Sequence, residues 1–438
     1  MDSKPAHSLQ NLRSMFYLVT PNETSYERVE NVPDFIRETL PYFTAMFLLE
    51  CFMLRLQGKN WPRINDSANS ISHAVLSTLP MLLFRSTEIL AYIWIYDNLR
   101  FVDLPWDNPW TWILGMLTVD FLFYWFHRIG HETNIGWATH HVHHSSEDYN
   151  LTTAVRQSMF DHYFKMLIYS PMALFVPPSV FYVHLQFNFL YQIWIHTTVI
   201  HHLGPLEYVL NTPSHHRVHH GRNPDYVDKN YAGVLIIWDR MFNTFQAEKE
   251  EVAYGLCVRN KFWNPIKGQL YYFPLMYNKI KEYPEFVNKL FVIIKGPGWK
   301  PGYPWRFPFE RLPKVKRPIE KFDSNLKFWA NIYVMLHFLL LITFYCYTLC
   351  DQLRTFQASF GLMCFFVYSL YTFSALYDHK AWSYLLEFLR CLSSLLVIYL
   401  TQEHVGLGTD HVTVLNVIFA ASSLGWIFLY MKNISIYL

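Results

Sequence analysis

Three histidine clusters constrain this chain more than any other feature: His127-Arg128-Ile129-Gly130-His131, His140-His141-Val142-His143-His144 and His215-His216-Arg217-Val218-His219-His220. On a helix, residues at i, i+3 and i+4 share a face, so His127/His131, His140/His143/His144 and His216/His219/His220 each form one stripe of imidazoles. Eight imidazoles exceed the needs of one zinc site, which closes with four ligands or takes three and a water. Two metal ions sharing the set is the simplest reading. Imidazole suits zinc, copper, iron and nickel alike, so the ligands do not name the metal. A single histidine of this kind would be read as a solvated or core residue, but three clusters in one chain favour a site.

Several neighbours are candidates for supporting roles. Asp120 lies seven residues before His127 on the same helical face, where it could accept the outer N–H of a ligating imidazole or be an ordinary buried, hydrogen-bonded Asp. Glu132, beside His131, reads equally as a ligand, a partner to a ligand or a proton relay. The run His131-Glu132-Thr133-Asn134-Ile135 departs from HExxH because Ile135 stands where the second histidine belongs, which sets aside the zinc metalloprotease reading. His196 ends an apolar run and is a candidate ninth ligand, an interfacial residue being the alternative. His141, His201 and His202 read as structural or solvated.

Of the 438 residues 52% are hydrophobic, 18% aromatic and only 16% charged, with aromatics crowding the ends of apolar runs. That pattern predicts membrane segments with interfacial belts rather than soluble cores. A net charge of +2 gives no argument for nucleic acid. The six cysteines form no CxxC pair, and Cys51, Cys346, Cys350, Cys364 and Cys391 lie in apolar stretches, as core or lipid-facing thiols would. The polar first 38 residues lack the apolar core of a cleaved signal peptide, so an internal segment is expected to direct insertion.

In chain order the apolar runs are 41–56, which holds the unusual Glu50; 71–96, with Arg85 and Glu88 at i, i+3; 110–126, leading into His127; 166–176 and 179–195, split by Pro177-Pro178; and 328–349, 356–377, 382–400 and 412–431. Glu50 is read as facing a helix bundle, and Arg85/Glu88 as a functional pair, a structural ion pair or an interfacial one. The predicted fold is all-α: a multi-pass helical membrane protein with a histidine-rich, di-metal helical domain on its cytosolic face. The side follows from the stretch 204–327, where 20 Lys and Arg stand against 12 Asp and Glu. Lys314-Val315-Lys316-Arg317 within it reads as a solvated or headgroup-facing patch.

The clusters as they stand, FHRIGHE at 126–132, HHVHHSSEDY at 140–149 and NTPSHHRVHHGRN at 211–223, followed by DKNY at 228–231 and IWDR at 237–240, resemble the fatty acid hydroxylase superfamily. Within it they look most like the branch that acts on ether lipids. The detailed match covers residues 100 to 260, and the close spacing of the first two clusters separates it from acyl-CoA desaturases. The resemblance implies a multi-pass endoplasmic reticulum enzyme with a di-iron centre facing the cytosol. It would use O2 and tetrahydrobiopterin to hydroxylate the ether-linked carbon of a 1-O-alkylglycerol, giving a fatty aldehyde and a glycerol fragment. Carried over by position, the ligands are His127, His131, His140, His143, His144, His216, His219 and His220, with Glu132 as the essential acid. The division implied is a polar segment 1–40, a membrane and di-metal catalytic region 41–327, and C-terminal transmembrane helices 328–438. Two departures stand out: Asn243, where the family usually has Gly, and His201-His202.

Cofactor and metal would carry the C–H oxidation while the protein positions an alkyl chain entering sideways from the bilayer and excludes water. Membrane lipids are thus expected partners, nucleic acid is not, and a homo-oligomer is left open. Nothing in the residue pattern identifies a pterin pocket, so a sterol or fatty acyl oxidase fed by cytochrome b5 is the nearer alternative. A metal transporter is the distant one, because transport would place ionisable residues along several spans near the midplane.

Overall fold

The computed structural model describes residues 5–83, 87–350, 355–405 and 408–437. Among them are helices and three isolated β-bridges but no strand. The helices used below are α1 (Leu40–Leu56), α2 (Ile64–Thr78), α3 (Thr87–Leu99), α4 (Pro109–Glu132), α5 (Asn134–His140), α6 (Asp161–Tyr169), α7 (Pro178–Trp194), α8 (Pro213–His219), α9 (Tyr272–Lys281), α10 (Phe286–Ile294), α11 (Phe328–Cys350), α12 (Phe356–Tyr377), α13 (Ser383–Val405) and α14 (Thr409–Met431). The chain forms two compact units. The first comprises residues 1–62, 86–259 and 270–320, and the second 63–85, 260–269 and 321–438.

Among the described residues, five helical stretches are long and apolar enough to cross a membrane: Val29–Leu56, Phe328–Leu349, Phe356–Tyr377, Ser383–Gln402 and Thr409–Met431. The last four coincide with the four C-terminal apolar runs of the sequence. The central runs do not reach this standard, and packing explains why. The run 71–96 is broken: α2 ends at Thr78, a 3₁₀ turn with Pro80 follows, and α3 starts at Thr87. Arg85 lies outside the described residues, and with it the Arg85/Glu88 pair. The run 166–176 divides between the end of α6 and a second 3₁₀ turn, Ser170–Leu174. At 17 residues α7 falls short of the roughly 20 a span needs, and its apolar side chains Val180, Phe181, Val183, Phe187 and Leu190 are buried in protein.

In the first unit, α4 is the axis on which the histidines are hung. Asn108 caps its start by accepting the Trp110 N–H, and Pro109 takes the first helical position. Val119, Phe123 and Phe126 pack with Tyr92 of α3, Tyr169 of α6 and Phe181 of α7. Thr133 ends α4 and begins α5, its hydroxyl accepting the Gly136 N–H. Gly136 is required there, since a Cβ would stand 2.5 Å from the Ile129 carbonyl oxygen.

In the second unit, α2 buries a polar stripe along most of its length and apolar residues at its end. Asn65 Nδ2 donates to Asp323, Asn69 Nδ2 to the Trp263 carbonyl, and Gln269 Nε2 meets His73 Nδ1 at 2.9 Å. Val75, Leu76 and Leu79 join Val334, Phe338, Phe366 and Leu370 in that unit's core.

Candidate metal centre

Nine imidazoles converge in the first unit, none of them more than 6% exposed. One group is His127, His131, His140, His144 and His219; the other is His143, His196, His216 and His220. Within each group every ligand nitrogen lies within 4.8 Å of every other. His127 and His131 come from successive turns of α4, His140 from the end of α5, His143 and His144 from the following 3₁₀ turn, and His216 and His219 from α8. His196 follows the end of α7 and joins the second group, as the candidate ninth position.

The contacts within each group have the spacing of ligands on one ion. His127 Nε2 stands 3.1 Å from His140 Nε2, and His131 Nε2 3.1 Å from His144 Nε2. His196 Nε2 is 3.0 Å from His216, 3.1 Å from His220 and 3.3 Å from His143. Two nitrogens held about 2.1 Å from a common ion at tetrahedral or octahedral angles are separated by about 3.0 to 3.4 Å.

Tautomers decide what these contacts mean. Four outer nitrogens face backbone acceptors: His127 Nδ1 donates to the Tyr231 carbonyl at 2.7 Å and His219 Nδ1 to the Lys229 carbonyl at 2.9 Å. His143 Nδ1 donates to the Arg156 carbonyl at 3.1 Å and His196 Nδ1 to the Gln192 carbonyl at 2.6 Å. A neutral imidazole has one proton, so each of these four presents a bare Nε2 inward. The Nε2 of His219 is buried without a hydrogen-bond partner. His143 and His196 point two lone pairs at each other across 3.3 Å, which is repulsive in a buried site unless a cation takes both.

Burial, reinforced by neighbouring imidazoles, holds His127, His131, His143, His144, His216 and His220 well below the usual histidine range. Burial brings His196 down to about 4 and His219 to about 3. These groups are neutral at pH 7, which is the ligand form. The donor set and its tautomers therefore fit transition-metal ions, two of them by grouping.

The loop after α8 supplies three of the acceptors. Asp228 Oδ1 stands 3.2 Å from His131 Nδ1, and the carbonyls of Lys229 and Tyr231 hold His219 and His127. Asp228 and Asn230 both have positive φ, 58° and 56°, where Asp and Asn are the best tolerated residues after glycine. Arg306 pairs with the other oxygen of Asp228. His140 Nδ1 faces Asp161 Oδ2 at 3.5 Å. Asp228, Asp161 and Arg306 escaped the sequence reading, because their partnership with the histidines depends on chain reversals that leave no periodic trace.

Asp120 stands elsewhere than the histidine ring. Its oxygens accept from Val234 N, Leu235 N, Trp238 Nε1 and Asn188 Nδ2 at 2.8–2.9 Å, so of its two possible roles it takes that of a buried, hydrogen-bonded Asp. Together with Asp239, which accepts from Tyr231 N, Ala232 N and the Thr244 hydroxyl, it shapes the loop that presents the Tyr231 carbonyl. Glu132 is half-buried at the rim, where it accepts from Arg128 Nε at 3.1 Å and the Tyr231 hydroxyl at 3.3 Å rather than from an imidazole. Glu50 accepts the Leu151 N–H at 2.9 Å and the Thr197 hydroxyl at 2.6 Å, tying α1 to the residue after His196 and to the start of the turn after the second cluster.

The remaining histidines lie apart. His141 Nδ1 turns back to the Trp137 and Ala138 carbonyls, His215 packs on Phe245, and His201 and His202 are exposed. Asn243 has φ 59°, a conformation glycine adopts freely and Asn tolerates. Arg317 of the basic patch pairs with Glu250 and Glu251.

A helical chain with five candidate spans among its described residues and two groups of buried imidazoles has the make-up of a membrane metalloprotein. Residues 112–244 match the family described as Fatty acid hydroxylase, and 330–420 match the Alkylglycerol monooxygenase C-terminal domain. The chain is 48% identical over 390 residues to the alkylglycerol monooxygenase of Homo sapiens, covering 89% of this chain and 88% of that one. It is 49% identical over 385 residues to the Xenopus tropicalis protein, covering 87% and 86%, and 36% identical over 433 residues to the Caenorhabditis elegans one, covering 93% and 86%. No solved structure matches. The chain belongs to the alkylglycerol monooxygenase family and is an oxygenase enzyme.

Proposed function

We propose that this chain is a di-iron monooxygenase that uses O2 and tetrahydrobiopterin to hydroxylate the ether-linked carbon of 1-O-alkylglycerols. The observation that carries the metal part is the convergence of buried imidazole nitrogens at 3.0–3.3 Å, with His143 and His196 facing each other through two bare Nε2 atoms. His127, His131, His140, His144 and His219 would hold one ion, and His143, His196, His216 and His220 the other. Iron and the pterin together would supply the oxidising power and electrons that a C–H bond beside an ether oxygen demands and that acid and base side chains lack.

The chain's own residues bind, orient and move protons. The carbonyls of Tyr231, Lys229, Arg156 and Gln192 fix the imidazole tautomers, and Asp228 does the same for His131. The hydroxylated ether carbon is a hemiacetal, whose collapse breaks the C–O bond to glycerol, forms the aldehyde and transfers the hydroxyl proton to the departing alkoxide. Glu132 Oε1, bonded to the Tyr231 hydroxyl at the rim, is the group placed to relay that proton.

This reading includes the division of labour in which 41–327 form the catalytic region and 328–438 anchor the chain. All nine histidines fall in the first unit and the C-terminal family match starts at 330, which supports that division. It also includes placement in the endoplasmic reticulum membrane with the metal centre on the cytosolic side, supported by the basic excess in 204–327. The deciding experiment measures fatty aldehyde release from a 1-O-alkylglycerol by membranes carrying the chain, with and without tetrahydrobiopterin. Pterin-dependent release that vanishes in His143→Ala is the expected result. Release that needs a cytochrome b5 instead, or none in metal-loaded protein with either reductant, overturns it.

A further inference from the structure

The helix α10 turns an apolar face outward. Its nine residues, FVNKLFVII, place Phe286, Val287, Leu290 and Ile294 within one arc of about 100° at 100° per residue. Those four side chains are 77%, 55%, 41% and 40% exposed, whereas Val292, on the opposite side, is buried. Lysines flank the stripe on both sides, Lys289 at one edge and Lys295 just past the helix end at the other. The stretch 271–306 carries six Lys and Arg against two Glu.

The buried side of α10 is fastened to the metal-bearing part of the first unit. Asn134, the first residue of α5, donates its side-chain N–H to the Val292 carbonyl and its backbone N–H to the Lys295 carbonyl, both at 2.7 Å. The Tyr272 hydroxyl of α9 donates to the same Asn134 at 2.7 Å. Asn134 stands three residues after His131, and α5 ends at His140. Trp305, 43% exposed, donates its indole N–H to the Glu132 carbonyl at 2.7 Å, so an amphipathic aromatic also sits at the rim.

We propose that α10 is an in-plane membrane element, its Phe286/Val287/Leu290/Ile294 face resting in the headgroup and upper acyl region of a lipid leaflet. Nine residues reach about 14 Å, less than half of a hydrocarbon core, so the helix lies along the surface rather than across it. An apolar stripe bordered by lysines is the pattern that interfacial helices use: the stripe enters the acyl boundary and the lysines reach back to phosphates. The charge excess selects a lipid surface over a second copy of this chain, which would set the same lysines against each other. The consequence is that the bilayer surface is locked, through Asn134, beside the helix that carries His140. This inference rests on exposure and charge and stands apart from the identity of the substrate.

The test uses the full chain in vesicles of phosphatidylcholine and phosphatidylserine, carrying an environment-sensitive dye on Phe286→Cys or Leu290→Cys, with reactive native cysteines replaced and metal content used to confirm folding. Glu310→Cys, at an exposed polar position, serves as the reference. The dye on Phe286→Cys and Leu290→Cys should be blue-shifted, quenched several-fold more strongly than the reference by lipids brominated high in the acyl chain, and shielded from aqueous iodide. Iodide access without bromolipid quenching overturns the proposal. Protection from both quenchers also overturns it, since a second copy would then cover the face.

Discussion

The two units each bury a cluster of polar and charged side chains, and the clusters differ in whether their hydrogen-bonding capacity is spent. In the second unit Tyr333, His337, Glu387, Arg390, Cys391 and Ser422 meet among α11, α13 and α14. His337, Glu387 and Cys391 are close enough to hold a metal ion. Yet Arg390 donates twice to Glu387, at 2.7 and 2.5 Å, and once to His337 Nδ1 at 2.9 Å. The Tyr333 hydroxyl donates to Glu387 at 2.6 Å, and His337 Nε2 faces the Ser422 hydroxyl at 3.2 Å. A guanidinium already occupies the place of a cation. In the first unit the outer nitrogens of His127, His143, His196 and His219 are spent on carbonyls while the inner ones meet other imidazoles or nothing. Neither burial nor ligand chemistry distinguishes the two clusters; unspent lone pairs do.

The largest effect should come from removing an inner nitrogen. His216→Ala is expected to lose the ion of the second group and to lower activity by about a thousand-fold or more, several kilocalories of transition-state stabilisation going with the metal. Metal analysis of the purified chain separates the cases, with about half the ion content retained. His337→Ala should leave metal content at the wild-type level. Loss of metal there would break the contrast between an open cluster and a closed one.

Acidification comes next. The buried imidazoles are neutral in the folded chain, whereas the unfolded chain protonates them as pH falls through about 6.5. The unfolded state therefore binds more protons between that value and the folded ones, about 4 for His196 and 3 for His219, so stability falls as pH falls through this window. Each such histidine contributes up to about 1.4 kcal/mol per pH unit. Metal retention measured from pH 7.5 to 4.5 should show steep, cooperative release below about pH 6. Retention down to pH 4.5 would contradict the neutral-imidazole reading.

Breaking the closed cluster should affect stability alone. Arg390→Met leaves Glu387 buried without its partner, at a cost of about 3–5 kcal/mol, while replacing both members with apolar residues should recover most of that. Unfolding of the detergent-solubilised chain measures the difference. Aldehyde release by the surviving folded fraction should be unchanged.

The sequence showed the histidine clusters because i, i+3, i+4 spacing survives into structure as a helical face, and the four C-terminal candidate spans because each is an apolar run of about 20 residues. His196 stood out only as a candidate, since its membership comes from α7 ending against α8 and not from local spacing. Apolar runs such as 166–176 and 179–195 read like spans because a helix buried in protein and one buried in lipid share a composition. The role of Asp228 was hidden, and that of Asp120 left open between two readings, for a different reason. Which carboxylate reaches an imidazole depends on the positive-φ reversals at Asp228 and Asn230, and carbonyl acceptors carry no residue signature at all.

Glu50 gives the smallest and sharpest test, because it is a spent carboxylate attached to the unspent cluster. Both of its oxygens accept, one from Leu151 N–H and one from the Thr197 hydroxyl. Glu50→Leu removes both acceptors and leaves the buried Leu151 N–H and Thr197 hydroxyl without them, costing about 1–3 kcal/mol. If Glu50 were only a packing group, as Glu387 is, the loss would appear in stability and leave the metal untouched. The bond to Thr197 adjoins His196, so the variant should also weaken the second group of ligands by up to about ten-fold, toward the low end of what removing a ligand's support costs. Chelator titration followed by metal analysis should then be biphasic, with one ion leaving early. A single unshifted phase would make Glu50 purely structural and would place the positioning of His196 in the Gln192 carbonyl alone.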